Sequence, residues 1–258
     1  MPTAKDIRVA PIARADADRT IKRLHYSGKV VNNSQLHLGV FLDGRLEGAM
    51  QFGPSLDKRK LQGLVAGTGW KFGPRLPRNS ESRALGVAFR LIRRQYPHLR
   101  WCVSFADATQ CGDGTIYRAS GFVLTGITRN TTTWALPGGG TIADSDWKSD
   151  ARKRARLLSR VTMTKGAHAC ETGAASIKGL AAMGAEKLPG FQLRYIYFLD
   201  PAARERLTVP VIPFSEIEKR GARMYLGQRV GSDTIDTPAV QAGKGGETPT
   251  PTLQTSCS

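Results

Sequence analysis

The amino-acid sequence predicts a mixed α/β (α+β) fold, with a central mixed sheet flanked by helices. Three observations predict it. Asp43-Gly44 stands between two apolar runs, the signature of a two-residue hairpin, so the sheet begins with antiparallel pairing. Asn79 to Tyr96 carries apolar residues at spacings of three and four, the period of a helix packed on one face. Two apolar stretches, 99–105 and 191–199, follow as buried strands. No Gly-x-Gly-x-x-Gly opens a helix after the first strand, which argues against a Rossmann cofactor site.

The elements come in order. Residues 5–12 read as a short strand ending at Pro11. Residues 14–25 form a helix with Ile21 and Leu24 on one face, ended at Gly28. The hairpin pairs 36–42 with 46–52, and Gly53-Pro54 closes it. A weaker strand at 61–65 precedes a loop, 67–78, rich in Gly and Pro. Asn79 is the N-cap expected of the main helix, whose core face is Leu85, Ala88, Phe89, Ile92 and Tyr96 and whose stop is Pro97. Strand 99–105 runs into a polar loop, 106–114. A short helix spans 115–120, and the next strand, 122–128, extends toward Trp134. Pro137 and three glycines break it. The segment 147–165 is strongly basic and 166–187 is rich in Ala and Gly; after strand 191–199, residues 217–225 are the last ordered stretch expected. We read residues 1–230 as one catalytic domain with a basic insertion at about 141–188, and 231–258, poor in apolar residues, as a disordered tail.

The net charge is +17. The tail carries Asp233, Asp236 and Glu247 against Lys244, so residues 1–230 carry +19. Such a field attracts polyanions, and nucleic acid is the commonest polyanion in a cytosol. Arg152, Lys153, Arg154 and Arg156 are the residues expected to touch DNA phosphates. Four scattered cysteines without a Cys-x-x-Cys pair, no apolar run long enough to span a bilayer and no signal-peptide pattern are expected of a cytoplasmic protein.

Two segments resemble the GNAT acyltransferases. One is the helix start Asn79-Ser80-Glu81-Ser82-Arg83; in GNAT proteins the equivalent amides bind the pyrophosphate of the group donor. The other is Ile116-Tyr117-Arg118-Ala119-Ser120-Gly121-Phe122, a short Tyr-bearing helix ending at Gly-Phe. The resemblance implies a GNAT-like acyltransferase fold, an acyl-CoA-type donor held by Asn79, Ser80, Ser82 and Arg83, and Tyr117 as a general acid.

A closer resemblance, to the phage Mom DNA-modification proteins, rests on Leu24-His25-Tyr26-Ser27-Gly28-Lys29, Leu38-Gly39-Val40-Phe41, residues 77–84, residues 104–117 and Gly190-Phe191-Gln192-Leu193-Arg194-Tyr195. It implies an enzyme of a phage-infected bacterial cytoplasm that converts adenine in double-stranded DNA to an N6-carbamoylmethyl derivative and so blocks host restriction. Mom-like proteins carry an arginine-bearing element before the Pro-Arg-Asn-Ser block; the stretch is short here, leaving Arg75 or Arg78 in its place.

The chemistry has its own requirements. The adenine N6 amine is a weak nucleophile that must be flipped from the stack, relieved of a proton and aligned with an electrophile. Asp107, at a strand end, can accept that proton, with Phe105 stacking on the base. His25 and Tyr26, where the first helix runs out, complete the catalytic set with Asp107 and Tyr117. His25, Asp107 and Cys111 are ligand types for a metal ion without diagnostic spacing. Two other functions fit in part: an N-acetyltransferase acting on a small amine or a protein, and a basic DNA-binding protein without catalysis.

Overall fold

The computed structural model describes residues 1–25, 30–54, 64–66, 71–109, 112–137, 139–152, 154–157, 159, 177–225 and 228–229. The strand β1 (Arg8–Pro11) leads into α1 (Arg14–Leu24), and the hairpin is β2 (Leu36–Leu42) with β3 (Arg45–Pro54). Two short strands follow, β4 (Leu64–Ala66) and β5 (Lys71–Phe72), then α2 (Ser80–Gln95), β6 (Trp101–Asp107), α3 (Thr115–Ala119) and β7 (Val123–Arg129). After them come β8 (Thr133–Ala135), β9 (Thr141–Ala143), α4 (Asp144–Ser149), a helix at Ile177–Ala182, β10 (Glu186–Lys187) and β11 (Phe191–Phe198).

The main sheet has the order β1-β2-β3-β4-β6-β11-β7, with β5 also paired to β3. It is mixed: β4 and β6 run parallel, and the other pairs are antiparallel. Asp43 (φ 49°) and Gly44 (φ 75°) turn the hairpin with two left-handed residues, the twist that a two-residue connection needs. A parallel pair requires a crossover, and α2 supplies it. The Leu99 N–H donates to the Tyr96 carbonyl (3.0 Å) in the tight reversal after α2. The N-terminus of α2 and the C-terminus of β6 therefore lie at the same end of the sheet.

The core lies between α2 and one sheet face. Leu85, Ala88, Phe89 and Ile92 are buried there against Leu38, Val40, Met50, Phe52, Leu124 and Leu193. Phe89 stacks on Tyr197 at 4.1 Å between ring centroids. Each buried Leu, Ile, Val, Met or Phe among them contributes about 1.5–3 kcal/mol. Tyr96, expected on this face, is 39% exposed, because the helix ends at Gln95 and Tyr96 leaves helical backbone (φ −132°, ψ 63°). The stretch 67–78 contains β5, held by its pairing with Gly48 and Ala49, a tertiary contact that its own pattern does not announce.

The opposite face carries α1, where Ala17 and Ile21 bury Ala49. A polar network lies beside them. The Gln51 side chain, fully buried, accepts from the Val31 N–H (3.0 Å) and donates to Asp18 (2.5 Å). His37 Nε2 shares a hydrogen bond with the Ser34 hydroxyl (2.8 Å).

The strand expected to run from 122 toward Trp134 ends at Arg129. Asn130 stops it: its amide donates to the carbonyls of Thr133 (2.9 Å) and Leu188 (2.7 Å), and its carbonyl accepts from the N–H groups of Thr132 and Thr133. The four bonds satisfy its two donors and both acceptor lone pairs. Beyond it, β10-β8-β9 form a second sheet with its own core of Trp134, Leu136, Ile142, Trp147, Leu180 and Met183. The tail expected at 231–258 lies outside the described residues. Among the described residues no helix is long and apolar enough to cross a membrane.

Two outcomes are expected. Burial first, then the Arg14 charge, hold the His37 pKa below its ordinary value. The unfolded chain then takes up the proton first, so stability falls as pH drops below about 6.5. Urea titrations between pH 5 and 7.5 should show this slope, and His37→Gln should flatten it. Gly190 has φ +152°, and a Cβ there would lie 2.7 Å from the Thr109 Cα. Gly190→Ala should cost about 3 kcal/mol in the same titration.

Candidate active site

Side chains alternate along β6, so Cys102, Ser104 and Ala106 face the α2 core while Val103, Phe105 and Asp107 face the α1 side. Pairing carries that assignment across the sheet: Gly53 sits opposite Val65, Val65 opposite Val103, Phe105 opposite Arg194, and Asp107 opposite Gln192. The Asp107 carboxylate accepts from the Thr109 N–H (3.1 Å) and from the Thr109 hydroxyl, a turn that closes the strand end. Gly190, the residue before β11, packs closely against Thr109, the second residue after β6.

The β4–β6 register covers two pairs, Leu64↔Cys102 and Val65↔Val103. Past Val103, β6 runs on to Asp107 while β4 stops at Ala66. α1 runs from its Arg14–Asp18 end, beside Gln51, toward the end of the sheet where β3 begins. That is the end where β6 finishes. His25 caps α1 there, its N–H donating to the Ile21 carbonyl (2.8 Å). His25 and Asp107 therefore share one face and one end of the sheet, on either side of the β4–β6 boundary. Tyr26 lies outside the described residues.

Tyr117 is on the other face. Its hydroxyl accepts from the Ser104 hydroxyl (2.9 Å) and lies 3.4 Å from the Phe105 carbonyl, and its ring stacks on Tyr195 (4.9 Å). Burial, then the nearby Asp113 charge, push the Tyr195 phenol well above its ordinary pKa, and its hydroxyl donates to the Asp113 carbonyl. The nearly buried Asp113 carboxylate accepts from the Thr115 hydroxyl (2.8 Å) and pairs with Arg118 (3.3 Å) and Arg223 (3.8 Å). Asp107, on β6, and Tyr117, on α3, thus lie on opposite sides of that strand.

The N-terminus of α2 comes to the same end. Asn79 occupies the N-cap position, but in left-handed backbone (φ 67°) and without a side-chain cap hydrogen bond. The capping expected of its side chain is absent because that backbone does not aim it at the first-turn amides. Its carbonyl accepts instead from the Ser82 hydroxyl and the Arg83 N–H, both at 3.2 Å. Ser80 is 1% exposed, and its hydroxyl has no hydrogen-bond partner among the described residues. An open recess of about 460 Å³ is lined by Pro2, Thr3, Lys5, Pro77, Arg78 and Asn79. Of the two arginines in question, Arg75 pairs with Glu47 (3.4 Å), whereas Arg78 lines the recess.

In the second unit, Arg152 and Arg156 are exposed. Arg154 is half-buried and donates to the Trp147 carbonyl (2.6 Å), capping α4. Lys153 and Cys111 lie outside the described residues, and among the described ones no three His, Cys, Asp or Glu side chains gather around a common point. Gln192 and Arg194 escaped the sequence reading. Their signal was present: two polar side chains at alternate positions of an otherwise apolar strand. Arg194 donates to the Thr125 hydroxyl (3.1 Å) and carbonyl (2.9 Å).

The model of the Mom protein family matches residues 6–216. The methylcarbamoylase Mom of Escherichia phage Mu is 39% identical over 139 residues, which cover 50% of this chain and 57% of that protein. The chain thus spans a little over half the length of this curated relative. Among solved structures, the ribosomal-protein-S18-alanine N-acetyltransferase of Escherichia coli aligns over 75% of this chain and 94% of its own, with 10% identity and a TM-score of 0.41. The spermidine/spermine N-acetyltransferase SpeG of Vibrio cholerae aligns over 79% and 99%, with 10% identity and a TM-score of 0.40. Likenesses this slight carry neither fold nor function.

A buried hydroxyl without a partner costs stability. Ser80→Ala should therefore leave stability unchanged or raise it by about 1 kcal/mol in urea titrations, because it removes that unsatisfied group.

Proposed function

This chain belongs to the Mom protein family, and from that membership we propose that it is a DNA-modifying transferase that converts adenine to an N6-carbamoylmethyl-type derivative and shields DNA from restriction. The observation that carries the reading is the family match over 6–216, which includes His25, the N-terminus of α2, Asp107, Tyr117 and Gln192. The body charge of +19 supports a polyanionic substrate.

The two faces of the sheet divide the labour. Adenine, flipped from the duplex, enters on the α1 face, where Phe105 offers a ring and Asp107 an acceptor for one N6 proton. His25 stands across the β4–β6 boundary, within the same end of the sheet, to orient the base or relay the proton. The group donor approaches from the α2 face; for a carbamoylmethyl product it must present a CH2 carbon that bears a leaving group, since attack on an acyl carbonyl would give an N6-amide instead. Its anionic part meets the Glu81 and Ser82 amides in the first turn of α2, since the Ser80 and Arg83 N–H groups already donate to the Pro77 and Asn79 carbonyls, together with the side chains of Ser80, Ser82, Arg83 and Arg78. The orphaned Ser80 hydroxyl and the recess beside Asn79 fit such a group. The new bond forms between N6 and the donor carbon as the bond to the leaving group breaks, and the N6 proton passes to Asp107. Tyr117 lies on the donor side of β6, placed to give a proton to the departing group once the long bond to the Phe105 carbonyl is released.

The Thr109 bonds hold Asp107 oriented toward the base, and it takes the proton as N6 becomes bonded to the donor carbon and acidic. Arg152 and Arg156, with Lys153, supply phosphate contacts from the second unit, while Arg154 shapes that surface by capping α4.

Expression of the chain in bacteria carrying a plasmid, followed by nucleoside digestion and mass spectrometry, tests the proposal. Wild type should yield adenine with a carbamoylmethyl-sized adduct. Asp107→Asn should lower the yield by about 10²–10⁴ with DNA binding retained. Unmodified adenine from folded wild-type protein would overturn the reading.

A further inference from the structure

Gln192 lies directly opposite Asp107 in the β6–β11 pair, on the same face of the sheet. Side chains so placed have Cβ atoms about 4.5–5.5 Å apart. Gln192 is exposed, and its amide has no hydrogen-bond partner among the described residues. Its neighbours are not free in this way. Arg194 is clamped to Thr125, and Asp107 is held by Thr109. The strand ends that carry Asp107 and Gln192 are fixed to each other, because Gly190 packs on Thr109 and Asn130 ties β7 to the start of β11 through Gly190 and Leu188. A primary amide beside a candidate proton acceptor is thus presented at a rigid site with its hydrogen-bonding capacity unused.

We propose that Gln192 is the residue that recognises adenine, taking the N7 side of the base while Asp107 takes the N1 side. An adenine N6 amine has two protons, one on the N1 side and one on the N7 side. A glutamine amide matches the second edge with two bonds: its carbonyl accepts from N6–H, and its N–H donates to N7. Asp107 is then left with the proton that is lost in the reaction. Guanine offers an oxygen where adenine has N6, so it would set that oxygen against the Gln192 carbonyl, whereas its N1–H is a donor that Asp107 could accept. Discrimination against guanine therefore falls to Gln192 on the N7 side. This inference rests on the reading of the chain as an adenine-modifying enzyme, and Gln192 is a specificity-determining residue within it.

The test uses two DNA products of the same mixed sequence, one made with adenine and one with 7-deazaadenine, which keeps N6 but lacks N7. Each is incubated with the full chain in bacterial extract, digested and analysed for N6 adduct. Wild type should modify 7-deazaadenine at least about tenfold less than adenine. Gln192→Ala should lose a similar factor on adenine and show no further loss on 7-deazaadenine. Its thermal unfolding should match wild type, since the side chain is exposed. Gln192→Glu keeps an acceptor for N6–H but no donor for N7, and should behave like the alanine variant toward N7. Equal modification of both products by wild type, or undiminished discrimination by Gln192→Ala, would overturn the inference while leaving adenine modification standing. Absence of any adduct with wild type on either product would instead remove the adenine-modifying reading itself, and this inference with it.

Discussion

The pairing of β4 with β6 is the constraint on which the rest of the structure depends. Among the described residues it is the one parallel pair in an otherwise antiparallel sheet, and it covers two residue pairs. A parallel pair needs a crossover, so α2 must lie on one face, with its N-terminus returned to the end where β6 finishes. The same pairing leaves β6 four residues longer than its partner's register. Asp107 is at the end of that extension. A fully antiparallel sheet of the same strands would have placed neither a helix N-terminus nor an extended strand end at this point.

From that geometry comes a separation of polar groups by face. Strand alternation sends Ser104 toward α2 and Asp107 toward α1, and it does so within three residues. On the α2 side, Tyr117, Tyr195 and Asp113 form a buried, mutually satisfied network whose charges are balanced by Arg118 and Arg223. Ser80 stands apart from it, with a hydroxyl that has no hydrogen-bond partner among the described residues. On the α1 side, the polar groups near Asp107 are set by backbone pairing and by the Gly190–Thr109 contact. The first arrangement suits a surface that is shaped before a ligand arrives; the second suits a surface that reads one.

Much of this was legible in the sequence. Asp43-Gly44 announces the hairpin because only left-handed residues make that turn, and α2 announces itself through Leu85, Ala88, Phe89 and Ile92. Asp107, His25 and the α2 N-terminus were legible as candidates through residue type and resemblance. What was not legible depends on contacts between distant residues. β5 exists through Gly48 and Ala49, and β7 ends through bonds from Asn130 to Leu188, 58 positions away. Local pattern holds no record of either. Gln192 was hidden for the same reason: an exposed glutamine acquires meaning from the residue paired with it, and that pairing spans two strands far apart in the chain.

Asn130 shows how such a distant contact bears on the site. Backbone pairing could have carried β7 onward toward Trp134, which has the side chains for it. The asparagine instead draws Thr132, Thr133 and Leu188 into a closed knot and sends the chain into a second sheet. Its own N–H donates to the Gly190 carbonyl (2.8 Å), so the knot also grips the residue packed against Thr109. The second unit is thereby anchored through two residues to the turn that orients Asp107. Arg154, whose guanidinium caps α4, continues the same logic outward, since a cation spent on helix carbonyls fixes the base from which Arg152 and Arg156 project. A series of contacts therefore runs from Arg154 to the strand end where Asp107 and Gln192 face each other. Fixed spacing of that kind is what a site must have if the position of a bound polyanion is to determine which of its atoms arrives at the carboxylate.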